Sequence, residues 1–276
     1  MVELHRPSCV ASVRFLLLSA VVTATAQEAN GLTPAECRFV HEYNEHHSGH
    51  DFPFLVGHMA HTSELCEDGK SINCEIALAR REKPYFVTTD GALPIDIATI
   101  VGTNFVYTAE FLSAFTGPSL DLKPKVEKHE SIVHLILIEA DEPANAYSSA
   151  YPQFLERFVA TEAWPCAAVN SVWQGELVEY SEVWIKADIG DIAMANCIKE
   201  EFYNASGVPG DPIGLASLFS PTRFSGAALD PPVYEGFSLR DGIVLRLVYD
   251  ERMKNGQSRS ETERLAGEII ETQCNY

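Results

Sequence analysis

The side chains best suited to chemistry lie in residues 197–211, which run Cys-Ile-Lys-Glu-Glu-Phe-Tyr-Asn-Ala-Ser-Gly-Val-Pro-Gly-Asp. This segment combines two adjacent carboxylates, Glu200 and Glu201, with the amide of Asn204. Apolar residues recur at spacings of three and four, which predicts a helix buried along one stripe: Met194, Ile198, Phe202 and Ala205. The glycine at 207 predicts the end of that helix. We expect Glu200 and Asn204 to face a groove and Glu201 to lie beside the buried stripe.

The spacing matches part of the zinc-protease signature H-E-x-x-H-x-x-G-x-x-H, in which three histidines bind the metal and the glutamate is the general base. Glu201 takes the position of the base and Gly207 that of the glycine. The three histidine positions hold other residues: Glu200, Asn204 and Gly210, with Asp211 following the last. Base and glycine are therefore present and the zinc ligands are absent. The alternative interpretation of these residues is an ordinary amphipathic helix with an exposed pair of glutamates.

Oxygen is the only metal donor that Glu200 and Asn204 offer, and oxygen suits Ca²⁺ or Mg²⁺ better than a catalytic Zn²⁺. Two ligands on one helix would also need a third, such as Asp211. We therefore expect no cofactor at this helix, with a divalent metal ion as the alternative.

From about Tyr85 to its C-terminus, the chain resembles the secreted proteobacterial family known as domain of unknown function 2927. The resemblance rests on Cys197, Glu200, Glu201, Asn204, Gly207 and Asp211, on Ser217-Leu218-Phe219, on residues 245–252, on Gly256 and on Ser258-Arg259. It implies an α+β, zincin-like domain with a small mixed sheet and a degenerate active helix. The chain departs from the family pattern at Asn204, where Gln is usual, and in its long Pro-rich stretch after Asp211.

Residues 1–26 have the pattern of a secretory signal peptide. Arg6 and Arg14 precede an apolar run from Phe15 to Val22, and residues 24–26 form a small-residue cleavage site. The run is too short to span a membrane, and no other stretch is long and apolar enough. We expect a soluble exported protein, periplasmic or extracellular, whose mature chain begins at Gln27.

Loss of the signal would remove Cys9 and leave six of the seven cysteines, an even number that suits an oxidising compartment. Six cysteines allow many pairings. The pairing that we expect is Cys66 with Cys74, Cys166 with Cys197, and Cys37 with Cys274. Reactive or metal-binding thiols are the alternative, although the sequence contains no C-x-x-C pair.

The formal net charge is −19, and it becomes one unit more negative when the signal, with its two arginines and one glutamate, is removed. Such a surface repels phosphate backbones and anionic lipids. This charge argues against nucleic acid and membrane surfaces as partners and leaves a cationic protein or envelope component open.

Local signals divide the chain into a signal peptide (1–26), a His/Cys-rich N-terminal extension (27–80) and a zincin-like domain (81–276). A capping box at Thr33 and Glu36 predicts a helix to about Asn44. Further predicted elements are a strand at 94–101, a helix at 103–115, strands at 132–138 and 177–186, and helices at 239–250 and 259–273, the last entered through a capping box at Ser260 and Glu263. Residues 208–237 are too long and too Pro/Gly-rich for an ordinary connection, which favours a cleft-covering loop.

Six of the nine histidines fall between positions 41 and 61. His41 and His46 lie five residues apart, so they point to different sides of a helix. The better candidate metal pairs are His46 with His50 and His58 with His61, because imidazole suits Zn, Cu or Ni. A solvated polar segment that titrates near neutral pH is the alternative.

Taken together, these features favour an exported pseudoenzyme whose degenerate cleft serves binding or structure. Two alternatives remain. One is a metal-dependent hydrolase or peptidase with Glu201 as its general base. The other is a periplasmic metal-handling protein that uses the His-rich segment 41–61.

Overall fold

The structure, a computed structural model, describes residues 31–47, 49–63, 74–81, 85–89, 93–116, 131–162, 164–173, 177–210, 232–234 and 237–274. The predicted signal peptide, Cys66, Asp211 and the Pro-rich residues 211–231 lie outside this part of the chain.

The described residues form a mixed α+β arrangement, which confirms the expected class at this coarse level. The helices are α1 Pro34–His46, α2 Phe52–His61, α3 Ile95–Thr116, α4 Pro152–Ala160, α5 Asp191–Asn204, α6 Leu239–Val248 and α7 Arg259–Cys274. The strands are β1 Thr62–Ser63, β2 Cys74–Glu75, β3 Tyr85–Thr89, β4 Ser131–Ile138, β5 Cys166–Trp173, β6 Leu177–Lys186, β7 Pro232–Tyr234 and β8 Phe237–Ser238.

The main sheet has four strands in the order β3-β4-β6-β5. Strands β3, β4 and β6 are parallel, and β5 pairs antiparallel with β6 at one edge. Strands β4 and β6 confirm the predictions for residues 132–138 and 177–186. Both strands contain β-branched residues, β6 adds Tyr180 and Trp184, and each has buried residues on both faces of the sheet.

The strand predicted at residues 94–101 is wrong, because these residues belong to the long helix α3, and the strand lies earlier, at Tyr85–Thr89. β-Branched residues here favour a strand locally. The buried positions of α3, however, follow helical spacing: Val101, Asn104, Phe105, Thr108, Phe111 and Leu112. The ring of Phe105 packs on that of Phe202 in α5 at 5.2 Å, so tertiary contact decides the outcome.

One continuous apolar core joins the N-terminal helices to the rest of the molecule. It contains Phe39 and Met59 from α1 and α2 together with residues of α3, α5, α6 and α7 and one face of the sheet. Residues within the predicted extension 27–80 therefore share a core with the domain that follows. The other face of the sheet packs on α4 through a smaller cluster that includes Phe158 and Trp184.

Helix α1 begins at the predicted capping box, since the side chain of Thr33 accepts from the backbone of Glu36 and the Glu36 carboxylate accepts from the backbone of Thr33. The same carboxylate accepts from Arg246 Nε at 3.1 Å, although it is only 3% exposed. A disulfide between Cys37 and Cys274 joins α1 to the end of α7. The N-terminal helix is thus fixed to both C-terminal helices.

The predicted capping box at Ser260 and Glu263 is wrong, because α7 begins at Arg259 and both residues lie inside it. Ser258 stands at the start instead, and its Oγ accepts from the backbone of Glu261 at 3.4 Å. Glu263 is bound by Arg259 Nε at 2.7 Å, an i,i+4 ion pair.

Within the ranges described above, none of the helices combines the length and the apolar character needed to cross a membrane.

Candidate functional site

Helix α5 carries the residues of the degenerate zinc-protease frame. Its predicted stripe is buried, with Met194 at 2% and Ile198, Phe202 and Ala205 at 0% exposure. Glu200 and Asn204 are half-buried on the other flank. Glu201 is 5% exposed, as its position beside the stripe predicts. Burial of a carboxylate requires hydrogen-bond donors, and the side-chain amide of Asn204 donates to its Oε2 at 3.2 Å.

The turn after α5 explains why glycine stands at position 207. Gly207 has φ +109, a conformation that other residues rarely adopt. A Cβ built there would lie 2.5 Å from the carbonyl oxygen of Ala79 and 2.6 Å from Arg80 Cα. Residues 76–81, which we call the strap, therefore cross directly over this turn. Glycine is required at position 207 because two backbone segments approach each other closely there.

Gly210, at the position of the third zinc ligand, is enclosed by the end of α2. Its amide donates to the carbonyl of Met59 at 2.8 Å. A Cβ would lie 2.8 Å from the carbonyl oxygen of His58 and 2.9 Å from that of Met59. The position has neither a side chain nor room for one, so it offers no ligand to a metal ion near α5.

Two buried arginines of the strap bind the C-terminal ends of two helices. Arg81 Nε donates to the carbonyl of Ala205 at 2.6 Å, where α5 ends. Arg80 Nη1 donates to the carbonyls of Val248 and Asp250, both at 2.8 Å, where α6 ends. Carbonyls at a helix C-terminus lack partners within the helix and carry partial negative charge, so a guanidinium both satisfies and stabilises them. Our sequence predictions missed this strap, and its only local signal is a charged pair at the end of an apolar run.

Tyr249 completes the junction between the strap and the two helices. Its hydroxyl donates to the carbonyl of Ser206 at 2.6 Å and accepts from the amide of Arg81 at 3.2 Å. The Arg80 guanidinium lies 5.7 Å from the ring centroid. Burial raises the pKa of Tyr249 to about 12, so the hydroxyl remains a neutral donor.

The disulfide between Cys166 and Cys197 joins edge strand β5 to α5, with a Cα–Cα distance of 5.8 Å. Two of the three expected pairings are thus present, this one and Cys37 with Cys274. Cys74 is also disulfide-bonded, and its expected partner Cys66 lies outside the described residues. One side-chain atom each of Cys166, Glu200 and Glu201 lies within 4.8 Å of the others. Because Cys166 is oxidised, its sulfur is not a thiolate and the group is not a metal site in this state.

The candidate histidines lie in separate environments. His46 is exposed and bonds the carbonyl of Glu42 at 2.7 Å, and His50 packs on Phe54 with ring centroids 4.7 Å apart. His58 Nδ1 lies 3.2 Å from the hydroxyl of Thr62. Across the described residues, the one group of three or more possible ligands holds no histidine.

His61, the last residue of α2, is fully buried and bonds to the strap and to α7. Its Nδ1 lies 2.7 Å from the carbonyl of Ile76, which can only accept, so Nδ1 carries a proton. In the neutral ring, Nε2 then accepts from the hydroxyl of Thr262 at 2.8 Å. Burial lowers the pKa of His61, against smaller opposing contributions from the Ile76 bond and from Glu75. This histidine fixes packing.

A fully buried carboxylate on the opposite face of the sheet was missed by the sequence predictions. Glu182 accepts hydrogen bonds from the hydroxyls of Ser149 and Tyr180, the amide of Ala150 and the indole of Trp184, at 2.6–2.9 Å. Its signal was the alternation of β6, which places residue 182 on the same face as Tyr180 and Trp184. The carboxylate anchors residues 149–150 to the sheet.

No family model, curated protein or solved structure matches this chain. The similarity to domain of unknown function 2927 therefore stays a prediction from the residues that carry it. Functional argument rests on the contacts described above.

Proposed function

We propose that this protein is an exported pseudoenzyme, a zincin-like domain whose helix α5 serves binding or structure instead of catalysis. The observation that carries the proposal is the closed position of Gly210. A zinc protease of this frame needs a ligand there, and here the backbone of His58 and Met59 leaves no space for a side chain.

The order of elements supports the zincin-like part of the proposal. A strand and a helix, β3 and α3, precede β4, the short helix α4, the antiparallel edge strand β5 and β6, and α5 follows. The edge strand lies beside α5 and is bonded to it by the Cys166–Cys197 disulfide. A helix that follows the last sheet strand and lies beside an antiparallel edge is the arrangement expected for the active helix of a zincin.

Glu201 has a structural role in this proposal. Its carboxylate is buried and accepts from Asn204, the residue that stands at a histidine position of the frame. The backbone carbonyl of Asn204 in turn accepts from the Asn170 side chain at 3.1 Å, which links α5 to β5. Glu201 at the base position and Asn204 at a ligand position of the frame thus belong to one chain of hydrogen bonds between α5 and β5.

Disulfides support export, because cross-links of this kind persist in oxidising compartments and are rare in reducing ones. The strongly acidic composition supports a cationic protein or envelope component as the binding partner.

The test compares Glu201→Gln and Glu201→Ala with the matched control Glu200→Gln, which makes the same charge change on the neighbouring, more exposed residue. We expect wild type and variants alike to be inactive in a broad peptidase screen. Glu201→Ala should lower the free energy of unfolding by about 1–3 kcal/mol, because the half-buried side-chain amide of Asn204 loses its acceptor.

Elemental analysis of protein purified without an affinity tag and without reductant should find no stoichiometric metal. A wild-type peptidase activity that disappears in Glu201→Gln, at unchanged melting temperature, would overturn the proposal in favour of a hydrolase. Stoichiometric metal that is lost when His46, His50 and His58 are replaced by asparagine would favour metal handling through the segment 41–61.

A further inference from the structure

Three donors on α5 share one face because of their spacing. Cys197, Glu200 and Glu201 are three and four residues apart, and such positions are neighbours on a helix surface. The fourth donor, Cys166, reaches the same place from β5 and is held there by its bond to Cys197. One sulfur and two carboxylates therefore converge from two elements, and the sulfur of Cys197 is bonded to that of Cys166.

The distances fit a metal site once the sulfurs are separated. One ligand atom each of Cys166, Glu200 and Glu201 already lies within 4.8 Å of the others. Zinc ligands lie about 2.0–2.3 Å from the ion, so donors around it are separated by about 3–4 Å. Separations of up to 4.8 Å would have to shorten by about an ångström to match that spacing, and cleavage of the disulfide would supply two thiols.

We propose that this cluster is a redox-gated site for one borderline-soft divalent metal ion of the Zn²⁺ and Cd²⁺ class, closed when Cys166 and Cys197 are oxidised. A dithiol reductant transfers two electrons and two protons to the disulfide, which becomes two thiols, and the reductant becomes a disulfide. The metal ion then displaces both thiol protons to solvent and forms two metal–sulfur bonds. Carboxylate oxygens of Glu200 and Glu201 complete four-coordination.

The surrounding contacts hold the donors together without the disulfide. β5 remains paired with β6 along most of its length, and Asn170 on β5 donates to the carbonyl of Asn204 on α5. Ile198 and Phe202 anchor α5 in the core. Cys166 is only partly buried, whereas Cys197 is 3% exposed, so Cys166 is the more accessible residue of the pair. This site does not depend on the zincin-like assignment, because it uses thiolates in place of the missing histidines.

The first experiment uses Cys197→Ala, which leaves Cys166 as a free thiol without added reductant. The matched control is Cys274→Ala, which frees Cys37; among the described residues, Cys37 belongs to no group of three ligands. Titration with Cd²⁺, followed by the sulfur-to-metal charge-transfer band, should show one equivalent bound by Cys197→Ala about tenfold or more tightly than by the control. Adding Glu200→Gln and Glu201→Gln to Cys197→Ala should remove most of this preference.

The second experiment keeps all cysteines and does not depend on the folding of a variant. Both disulfides of the wild type are followed by alkylation and mass spectrometry in a redox titration with and without Zn²⁺. A metal that binds the reduced form tenfold better or more raises the midpoint potential of Cys166–Cys197 by at least about 30 mV. The Cys37–Cys274 pair serves as the internal control and should not shift.

Equal Cd²⁺ affinity of Cys197→Ala and Cys274→Ala would overturn the proposal. So would a Cd²⁺ affinity of Cys197→Ala that stays the same when Glu200→Gln and Glu201→Gln are added. Zn²⁺ that leaves the Cys166–Cys197 potential unchanged would do so independently.

Discussion

Replacement of Gly207 by alanine tests whether the glycine of the protease frame serves the strap. The new methyl carbon would stand 2.5 Å from the carbonyl oxygen of Ala79, well inside van der Waals contact, and both atoms belong to regions held by backbone hydrogen bonds. Overpacking of this kind costs about 1–3 kcal/mol. The φ of +109 adds about 1–2 kcal/mol for a residue with a Cβ. The free energy of unfolding should therefore fall by about 2–5 kcal/mol.

Gly49→Ala is the matched control for the backbone contribution alone. Gly49 has φ +89, yet a Cβ there would meet nothing within 4 Å. Its replacement should cost about 1–2 kcal/mol. The difference between the two variants isolates the contact with the strap.

Urea unfolding at equilibrium, with the disulfides intact, measures both variants on the same scale. If Gly207→Ala proves no more destabilising than Gly49→Ala, the strap does not press on this turn and our explanation of the glycine is refuted. A loss of about 2–5 kcal/mol would correspond to roughly 4–20 °C in melting temperature for a domain of this size.

Three further predictions follow from other buried polar groups. The pKa of His61 is lowered in the folded state, so the unfolded state takes up the proton first as the pH falls below about 6.5. The free energy of unfolding should therefore decrease from that pH downwards, by about 1.4 kcal/mol per unit of difference between the two pKa values. In urea titrations at several pH values, His61→Asn should abolish this pH dependence, while the exposed control His41→Asn should keep it. Tyr249→Phe should cost about 1–3 kcal/mol because the Ser206 carbonyl loses the closer of two donors, the hydroxyl at 2.6 Å, the other being the Arg81 amide at 3.3 Å. A melting temperature equal to that of wild type would contradict the junction described here. Glu182→Gln should lower the free energy of unfolding by about 1–3 kcal/mol, because an amide cannot accept from all four donors. It should also change the fluorescence of Trp184. Unchanged stability and emission would show that the carboxylate is dispensable.

Many of the helices and strands could be predicted from local sequence patterns. The stripe of α5, the capping box of α1 and the strands at residues 132–138 and 177–186 depend on neighbours in sequence, whose side chains meet through helical or strand periodicity. Residues 94–101 show where this fails. Their β-branched side chains favour a strand, and contact of α3 with α5 decides for a helix.

The candidate site depended on tertiary structure far more. From sequence, Gly207 and Gly210 were two positions of a protease frame; in the folded chain they are the places where the strap and the end of α2 approach α5. The strap lies more than a hundred residues before Gly207 in sequence. No local sequence pattern predicts which backbone segment will cross a given glycine. The same holds for Arg80 and Arg81, whose partners are helix ends formed elsewhere in the chain.

By itself, then, the sequence determined that α5 is an amphipathic helix with a buried apolar stripe, with Glu200 and Asn204 on the opposite flank and Glu201 beside the stripe, because residue spacing and helix geometry suffice for that. Only tertiary structure decided that Cys166 meets this helix, that Gly210 has no space for a ligand and that the carbonyl of Asn204 accepts from Asn170 on β5. These outcomes depend on steric exclusion and on hydrogen bonds between segments distant in sequence. Such contacts exist only after the chain has packed.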